Sequence, residues 1–282
     1  MALIVFIVAP VALAILISAL GAFRWAGGSR KLHARLEAAR IPAHAPRVEL
    51  GEIEGAPAPV RAYFRSVLTD GHPRVTGVRV RHHGTINMGE TTERWRPFSS
   101  EQRVVVQRPG FDWDARVRMM PGLVVRVHDA YVAGEGMLHA ALFGLFTVAD
   151  LRETRDIAEG ELIRFLAETA WYPTALLPGQ GVRWDAVDAR AARATLIDGP
   201  TSVTLLFTFA PDGMIERVRA EARGRTVGKE SVLTPWEARF WNYAERDGMW
   251  IPLDAEVSWL LPEGLRPYWR GRLIEIAYEF AE

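Results

Sequence analysis

The chain has no cysteine and no net charge, with 34 basic and 34 acidic side chains among its 282 residues. Without cysteine there are no disulfides, no thiolate zinc sites, no iron–sulfur clusters and no cysteine nucleophile. The charge balance lacks the basic footprint of a nucleic-acid binder, so no nucleic-acid partner is expected. Catalytic signatures are missing too: the sequence contains no GxSxG, HExxH, Walker loop, GxGxxG or DxDxDG run. No internal repeat or low-complexity tract breaks the chain. A hydrophobic share of 49% is ordinary for a globular protein, and the length allows one large domain or two small ones, either of which can bury a sizeable core.

One stretch lacks charge completely. Residues 2–23, ALIVFIVAPVALAILISALGAF, hold no charged side chain. At about 1.5 Å per residue a helix of that length reaches roughly 33 Å, enough to cross a hydrocarbon core. No Lys or Arg precedes Arg24, so the positive n-region of a cleavable signal peptide is missing. Residues 1–24 are therefore expected to be an uncleaved single-pass transmembrane anchor, with the membrane as partner. Between Arg24 and Arg47 six basic residues face one acid, Glu37, which leaves 28 basic and 33 acidic residues beyond, a net of −5. Basic flanks favour the cytoplasmic side. Residues 29–40, SRKLHARLEAAR, read either as a basic amphipathic helix with Leu32 and Leu36 on one stripe or as a solvated helical linker. The segments IPAHAP and GAPAPV complete a basic, Pro/Ala-rich linker over 25–58, ahead of a single domain over 59–282.

That domain has an apolar period of two. In FDWDARVRM, Phe111, Trp113, Ala115, Val117 and Met119 alternate with Asp112, Asp114, Arg116 and Arg118, the pattern of a half-buried strand. The alternation recurs at 78–88, with Gly84 as a bulge position, and at 203–209, 251–259 and 274–280, giving about ten strands. Short separators such as MPGL, VAGEG, APDGM and ERDGM favour antiparallel hairpins over parallel crossovers. Helical patterns occur over 59–68 and within 159–178, the latter ended by Pro173. The expected fold class is mainly β (α+β): one large curved antiparallel sheet or half-barrel with one or two packed helices, preceded by the N-terminal transmembrane helix.

Residues 107–113 (QRPGFDW), 129–136 (DAYVAGEG), 164–178 (RFLAETAWYPTALLP) and 234–236 (TPW) resemble an uncharacterised bacterial family with an N-terminal membrane helix and an RxLAExxWxPTALLP motif. The likeness covers nearly all of 60–280 and implies no particular reaction. The ending ARFWNYAERDGMWIPLDAEVSW is similar, at the level of fold type, to LolA-like and LppX-like lipoprotein carriers. In those carriers a curved half-barrel holds acyl chains, which implies an extracytoplasmic domain and leaves the side of the membrane open.

Candidate site residues follow from polar groups in apolar surroundings. Asp129 interrupts the face that carries Leu123, Val125, Val127 and Tyr131. A carboxylate there is either satisfied by an Arg or backbone donors, or lines a polar spot in a cavity. Arg164 lies four before Glu168 and three after Glu161. These groups read as helix-surface ion pairs, or Arg164 and Glu168 cross the sheet to a ligand or to Asp129. Asp185 and Asp188 fit a turn. His82 and the adjacent His83 point to opposite strand faces and cannot chelate one ion together, and His82 reads as a hydrogen-bonded core residue. With Trp at ten positions, Trp113, Trp171 and Trp236 are the choices for a pocket wall. The preferred function is a non-enzymatic domain that binds a lipid or other hydrophobic ligand through Trp113, Asp129, Arg164, Glu168, Trp171 and Trp236, with no metal and no cofactor. The alternatives are a hydrolase acting on a membrane-associated substrate through Glu168, Asp129 and Arg164, and a tethered protein-interaction module.

Overall fold

The computed structural model describes residues 2–89, 92–152, 154–228 and 230–282, with side chains from Ile15 onward. The chain opens with α1 (Ala2–Ala39) and α2 (Ala58–Val67), followed by β1 (Val75–Asn87), β2 (Trp95–Val105), β3 (Gly110–Met120), β4 (Leu123–Val132), β5 (Glu135–Leu142) and β6 (Phe146–Arg152). Next come α3 (Arg155–Glu168), short 3-10 turns through Gln180, β7 (Arg183–Ala186), β8 (Ala191–Asp198) and β9 (Thr201–Phe209). The chain finishes with β10 (Ile215–Val227), β11 (Glu230–Arg246), β12 (Met249–Leu261) and β13 (Gly264–Phe280).

All thirteen strands form one unclosed antiparallel sheet in the order β6-β5-β4-β3-β2-β1-β13-β12-β11-β10-β9-β8-β7. The mainly β class is as read from the sequence, but the strand number of about ten is too low. Short strands such as β7 and the exposed edge strand β6 bury too little to show a clean alternation. The hairpins turn as their residues dictate. Ala133 and Gly134 in VAGEG, like Asp247 and Gly248 in ERDGM, both take positive φ, as a two-residue primed turn requires. Asp188 accepts from the Arg190 backbone N–H (2.7 Å) in the β7–β8 turn. The expected bulge at Gly84 is not there: Gly84 pairs regularly with Gly271 of β13, and the register shifts lie at Thr76 of β1 and, opposite Arg81 and His82, at Ile274 of β13.

The sheet curls strongly. α3 contacts both β4 and β10, although seven strand intervals separate them in the sheet. Laid flat, those intervals span roughly 34 Å, about three times the width of a helix, so the sheet wraps around α3. This explains why α3 is buried on nearly every side from Ala158 to Glu168 and lacks the polar face of a surface helix. It begins four residues before the sequence-based start, capped by Thr154 Oγ1, which accepts from the Ile157 N–H (3.3 Å). α2 closes another part of the core with Val60, Tyr63, Phe64 and Val67, all buried.

The opposite face of the sheet carries α1. Because side chains alternate, Phe111 and Trp113 point inward while Asp112 and Asp114 point outward. Asp114 accepts from Trp25 Nε1 (2.9 Å) and Ser29 Oγ (3.1 Å). Leu32 and Leu36 are buried with Val105, Ala130 and Val132. Of the two readings of residues 29–40, the amphipathic helix with its Leu32 and Leu36 stripe is the one seen, laid along the outer sheet face, and Val48 and Ile53 further on are buried in the main core. Among the described residues no helix is long and apolar enough to cross a membrane. Residues 2–14, most of the uncharged run read as an anchor, lie outside the residues whose side chains are described.

Candidate functional site

Inside the curl, register sets the composition of the wall. Trp113 of β3 stands opposite Asp129 of β4 and Gln102 of β2. Across the sheet Trp236 of β11 stands opposite Trp259 of β12. Arg223 joins this face through a register shift in β10 between Ala220 and Arg223. Strict alternation after Val218 and Ala220 would send Arg223 outward, and the bulge reverses that parity.

Arg164 reaches from α3 into this wall. Its Nη1 lies 2.6 Å from Asp129 Oδ2 and its Nε lies 2.6 Å from Glu168 Oε1. Gln102 Nε2 donates to the other Glu168 oxygen at 2.5 Å. The guanidinium sits 4.9 Å from the Phe111 ring centre and 5.0 Å from that of Trp113. Two carboxylates and two aromatic rings therefore hold one buried cation, and the acids raise its pKa against the opposing effect of burial, keeping it charged. The Arg164–Glu168 pair is an interior pair, not a helix-surface one. Glu161 meets Arg223 (3.4 Å) from across the sheet. Arg223 in turn lies 5.2 Å from the Trp236 ring centre, and Trp236 Nε1 donates to Tyr268 Oη (2.9 Å).

Among the described residues, Asp129 Oδ1 and Glu161 Oε2 are both buried without a hydrogen-bond donor. Two facing acceptors satisfy each other only if one holds a proton. Burial, then the Asp129 charge, push the Glu161 carboxyl up to about 8, despite the pull of Arg223 and Arg164, and a hydrogen bond to Asp129 favours the protonated form further. Near neutral pH Glu161 is accordingly a neutral acid donating to the Asp129 carboxylate. Trp113 Nε1 and Gln102 Oε1 are further buried polar atoms without partners.

All six sequence-derived candidates, Trp113, Asp129, Arg164, Glu168, Trp171 and Trp236, line a cavity of about 100 Å³. Arg223, Tyr268 and Trp269 line it as well. Trp171 is fixed there by its Nε1 donating to the Pro252 carbonyl (3.1 Å) and by Tyr278 Oη donating to its own carbonyl (2.7 Å). Trp113, Asp129 and Arg223 also border a neighbouring groove of about 890 Å³, walled mainly by apolar residues such as Val117, Val127 and Ala140, with Glu161 at its floor. The sequence reading missed Arg223 and misplaced Glu161. The register shift that brings Arg223 inward has no local sequence signal, and Glu161 has its counterpart 62 residues away. His82, expected to be a hydrogen-bonded core residue, is buried, but neither ring nitrogen has a hydrogen-bond partner among the described residues; its pKa is lowered to about 3 chiefly by burial and also by the Arg164 charge. Its ring lies 4.7 Å from that of Trp171.

A second polar cluster lies on the outer face. Ser29 Oγ is 3.2 Å from His128 Nε2, and His128 Nδ1 is 2.7 Å from Asp112 Oδ1. That order of groups belongs to nucleophilic triads. Here, however, the hydroxyl is also engaged by Asp114 and the Trp25 carbonyl, and the Trp25 ring lies flat against His128 at 4.3 Å. His33 Nε2 adds a bond to Asp112 (3.0 Å). The cluster fastens α1 to the sheet. Burial raises the Asp112 carboxyl, but the hydrogen bonds and charges of His128 and His33 outweigh it and hold the group below its usual range. Among the described residues no group of His, Asp or Glu is arranged to hold a metal ion.

Residues 54–278 match the model of a family described as family of unknown function (DUF6920). No curated protein matches the chain. Among solved structures, it is similar to a LolA superfamily protein from Nitrosomonas europaea, with 9% identity and a TM-score of 0.34, covering 79% of this chain and 92% of that one. It is also similar to a β-barrel-like protein of the domain of unknown function DUF1849 from Brucella abortus, with 14% identity and a TM-score of 0.26, covering 73% of this chain and 99% of that one.

Proposed function

The chain belongs to the DUF6920 family, and from the chemistry of its site we propose that it is a membrane-anchored protein that binds a lipid or similar amphiphile. The observation that carries this reading is a single apolar groove of about 890 Å³ ending on buried ionic groups. A space of that size takes acyl chains. At its floor, Trp113 Nε1 lacks a partner among the described residues, and it and the proton-sharing Glu161–Asp129 pair are the groups to receive a polar head. Binding then satisfies polar atoms whose desolvation has already been incurred in folding. The anchor is supported by the uncharged run of residues 2–23 and by its continuity with a helix that is itself docked on the domain.

The test is quenching of tryptophan fluorescence by phospholipid with brominated acyl chains, added to the full chain in non-brominated detergent micelles. Acyl chains in the groove quench Trp113, so Trp113→Phe should reduce the quenched fraction. Filling the groove with Val127→Trp should reduce access to Trp113 as well. Quenching unaffected by both substitutions would count against an interior site. A second reading, hydrolysis of a membrane-associated substrate, is favoured by the proton shared between Glu161 and Asp129. Such a pair can give a proton to a leaving group and take one from water. Glu168 is a poor base here, because both its oxygens are engaged. This reading requires Glu161→Gln to abolish turnover of an ester-linked lipid.

A further inference from the structure

We propose that the end of the sheet formed by the β1–β2, β3–β4 and β5–β6 turns rests on an anionic phospholipid bilayer, so that the groove opens directly onto lipid. This rests on the anchored, amphiphile-binding reading above and adds where the ligand enters.

In an antiparallel meander every second turn comes to the same end, which brings those three turns together. Their apolar residues are unusually exposed: Met88 50%, Met120 61%, Phe146 59% and Val148 61%. Inside the same rim Met88, Met119, Val125 and Val148 line the groove. Exposed apolar groups concentrated at a cavity mouth mark an interaction surface.

What covers that rim is indicated by α1. Leu36 lies against Gly110 at the far end of β3. His33 meets Asp112, Ser29 and Trp25 meet Asp114, and Gly21 lies against the Phe143 carbonyl so closely that a Cβ would collide with it. The helix thus climbs the outer face to the β5–β6 turn, and its described residues beyond Gly21 include Leu20, Leu16 and Ile15, all more than half exposed. The uncharged run therefore leaves the domain at this rim. α1 is tied to the sheet at five successive positions, so the run and the rim move together.

Charge completes the surface. Arg116 and Arg126 stand opposite each other on β3 and β4, a like-charge pairing that destabilises a sheet unless an anion offsets it. Neither they nor Arg24 and Arg118 have an ion pair among the described residues. Asp114 stands opposite His128 and attracts Arg126 electrostatically, but its oxygens are hydrogen-bonded by Trp25 and Ser29. Lipid phosphates supply the missing anions, because basic residues beside an anionic bilayer surface are attracted to it.

The absence of cysteine allows single labels. Full-length chains carrying Met120→Cys, Phe146→Cys or, at the opposite end, Thr69→Cys would be labelled with an environment-sensitive fluorophore. They would be placed in nanodiscs of phosphatidylcholine alone or mixed with phosphatidylglycerol. The expected result is a blue-shifted, brighter emission at positions 120 and 146 on the anionic discs. The gain should be lost in Arg116→Gln/Arg126→Gln, and position 69 should stay aqueous throughout. Labels at 120 and 146 that remain aqueous on both discs, while the protein still carries its amphiphile, would overturn the rim docking alone. A chain that neither enters the discs nor binds amphiphile would overturn the underlying reading with it.

Discussion

Replacing Glu161 by Gln should make the protein less sensitive to alkaline pH, a gain of stability from deleting a buried charge partner of an arginine. The carboxyl, ordinarily near 4.5, is pushed up to about 8 by burial first and the Asp129 charge second. The folded state therefore holds a proton that the unfolded state releases. For a group raised in this way, stability is complete below pH 4.5 and falls as pH rises towards 8. At about 1.4 kcal/mol per unit, going from pH 6 to pH 9 should remove about 3 kcal/mol of wild-type stability through this group. Gln has nothing to ionise, its amide N–H can donate to Asp129 Oδ1, and its carbonyl still faces Arg223. Urea unfolding of the full chain in detergent at pH 6 and pH 9, followed by Trp emission, measures both. The variant should match the wild type within about 1 kcal/mol at pH 6 and exceed it at pH 9. Equal pH slopes in the two proteins would refute the shared proton, and a large loss at pH 6 would show that Glu161 is charged and held by Arg223.

Three further outcomes follow from the same geometry. Arg164→Met leaves Asp129 and Glu168 buried without their cation and should cost about 3–5 kcal/mol in the same assay, whereas adding Asp129→Asn and Glu168→Gln should recover much of it; no recovery would remove the ion cluster as the cause. His82 is neutral when folded, so the unfolded state gains its proton first as pH falls below 6.5. His82→Leu should then save about 2 kcal/mol at pH 5 relative to pH 7, read from the urea midpoints, and an unchanged pH difference would count against a neutral, buried ring. Gly21→Val should force α1 away from the Phe143 carbonyl, seen as faster amide exchange over residues 21–29, while unaltered exchange would mean the close approach is absent.

The inward alternation of β3 and the α2 helix were legible because each depends on spacing within one segment, whereas Trp171 and Trp236 came from the motifs that carry the family resemblance. Trp113 and Asp129 stand opposite one another for the same reason that each appeared on the apolar face of its own strand. The residues that escaped depend on relations across the sheet. Arg223 needs a register shift between β10 and β11, and Glu161 needs β10 to curl back over α3. The docking of α1 was hidden because Asp112, Asp114 and His128 look like an ordinary solvated face until Trp25, Ser29 and His33 cover them. Trp25 lies just beyond the uncharged run, and nothing in its own segment signals the Asp114 carboxylate it meets 89 residues on.

The central claim is tested most directly by native mass spectrometry of the full-length chain released from detergent under gentle activation. The account predicts a bound mass that extracts as an amphiphile from the wild type and is missing when Val127→Trp fills the groove. A wild-type chain that flies without added mass, or a filled variant that keeps it, would contradict an interior ligand site.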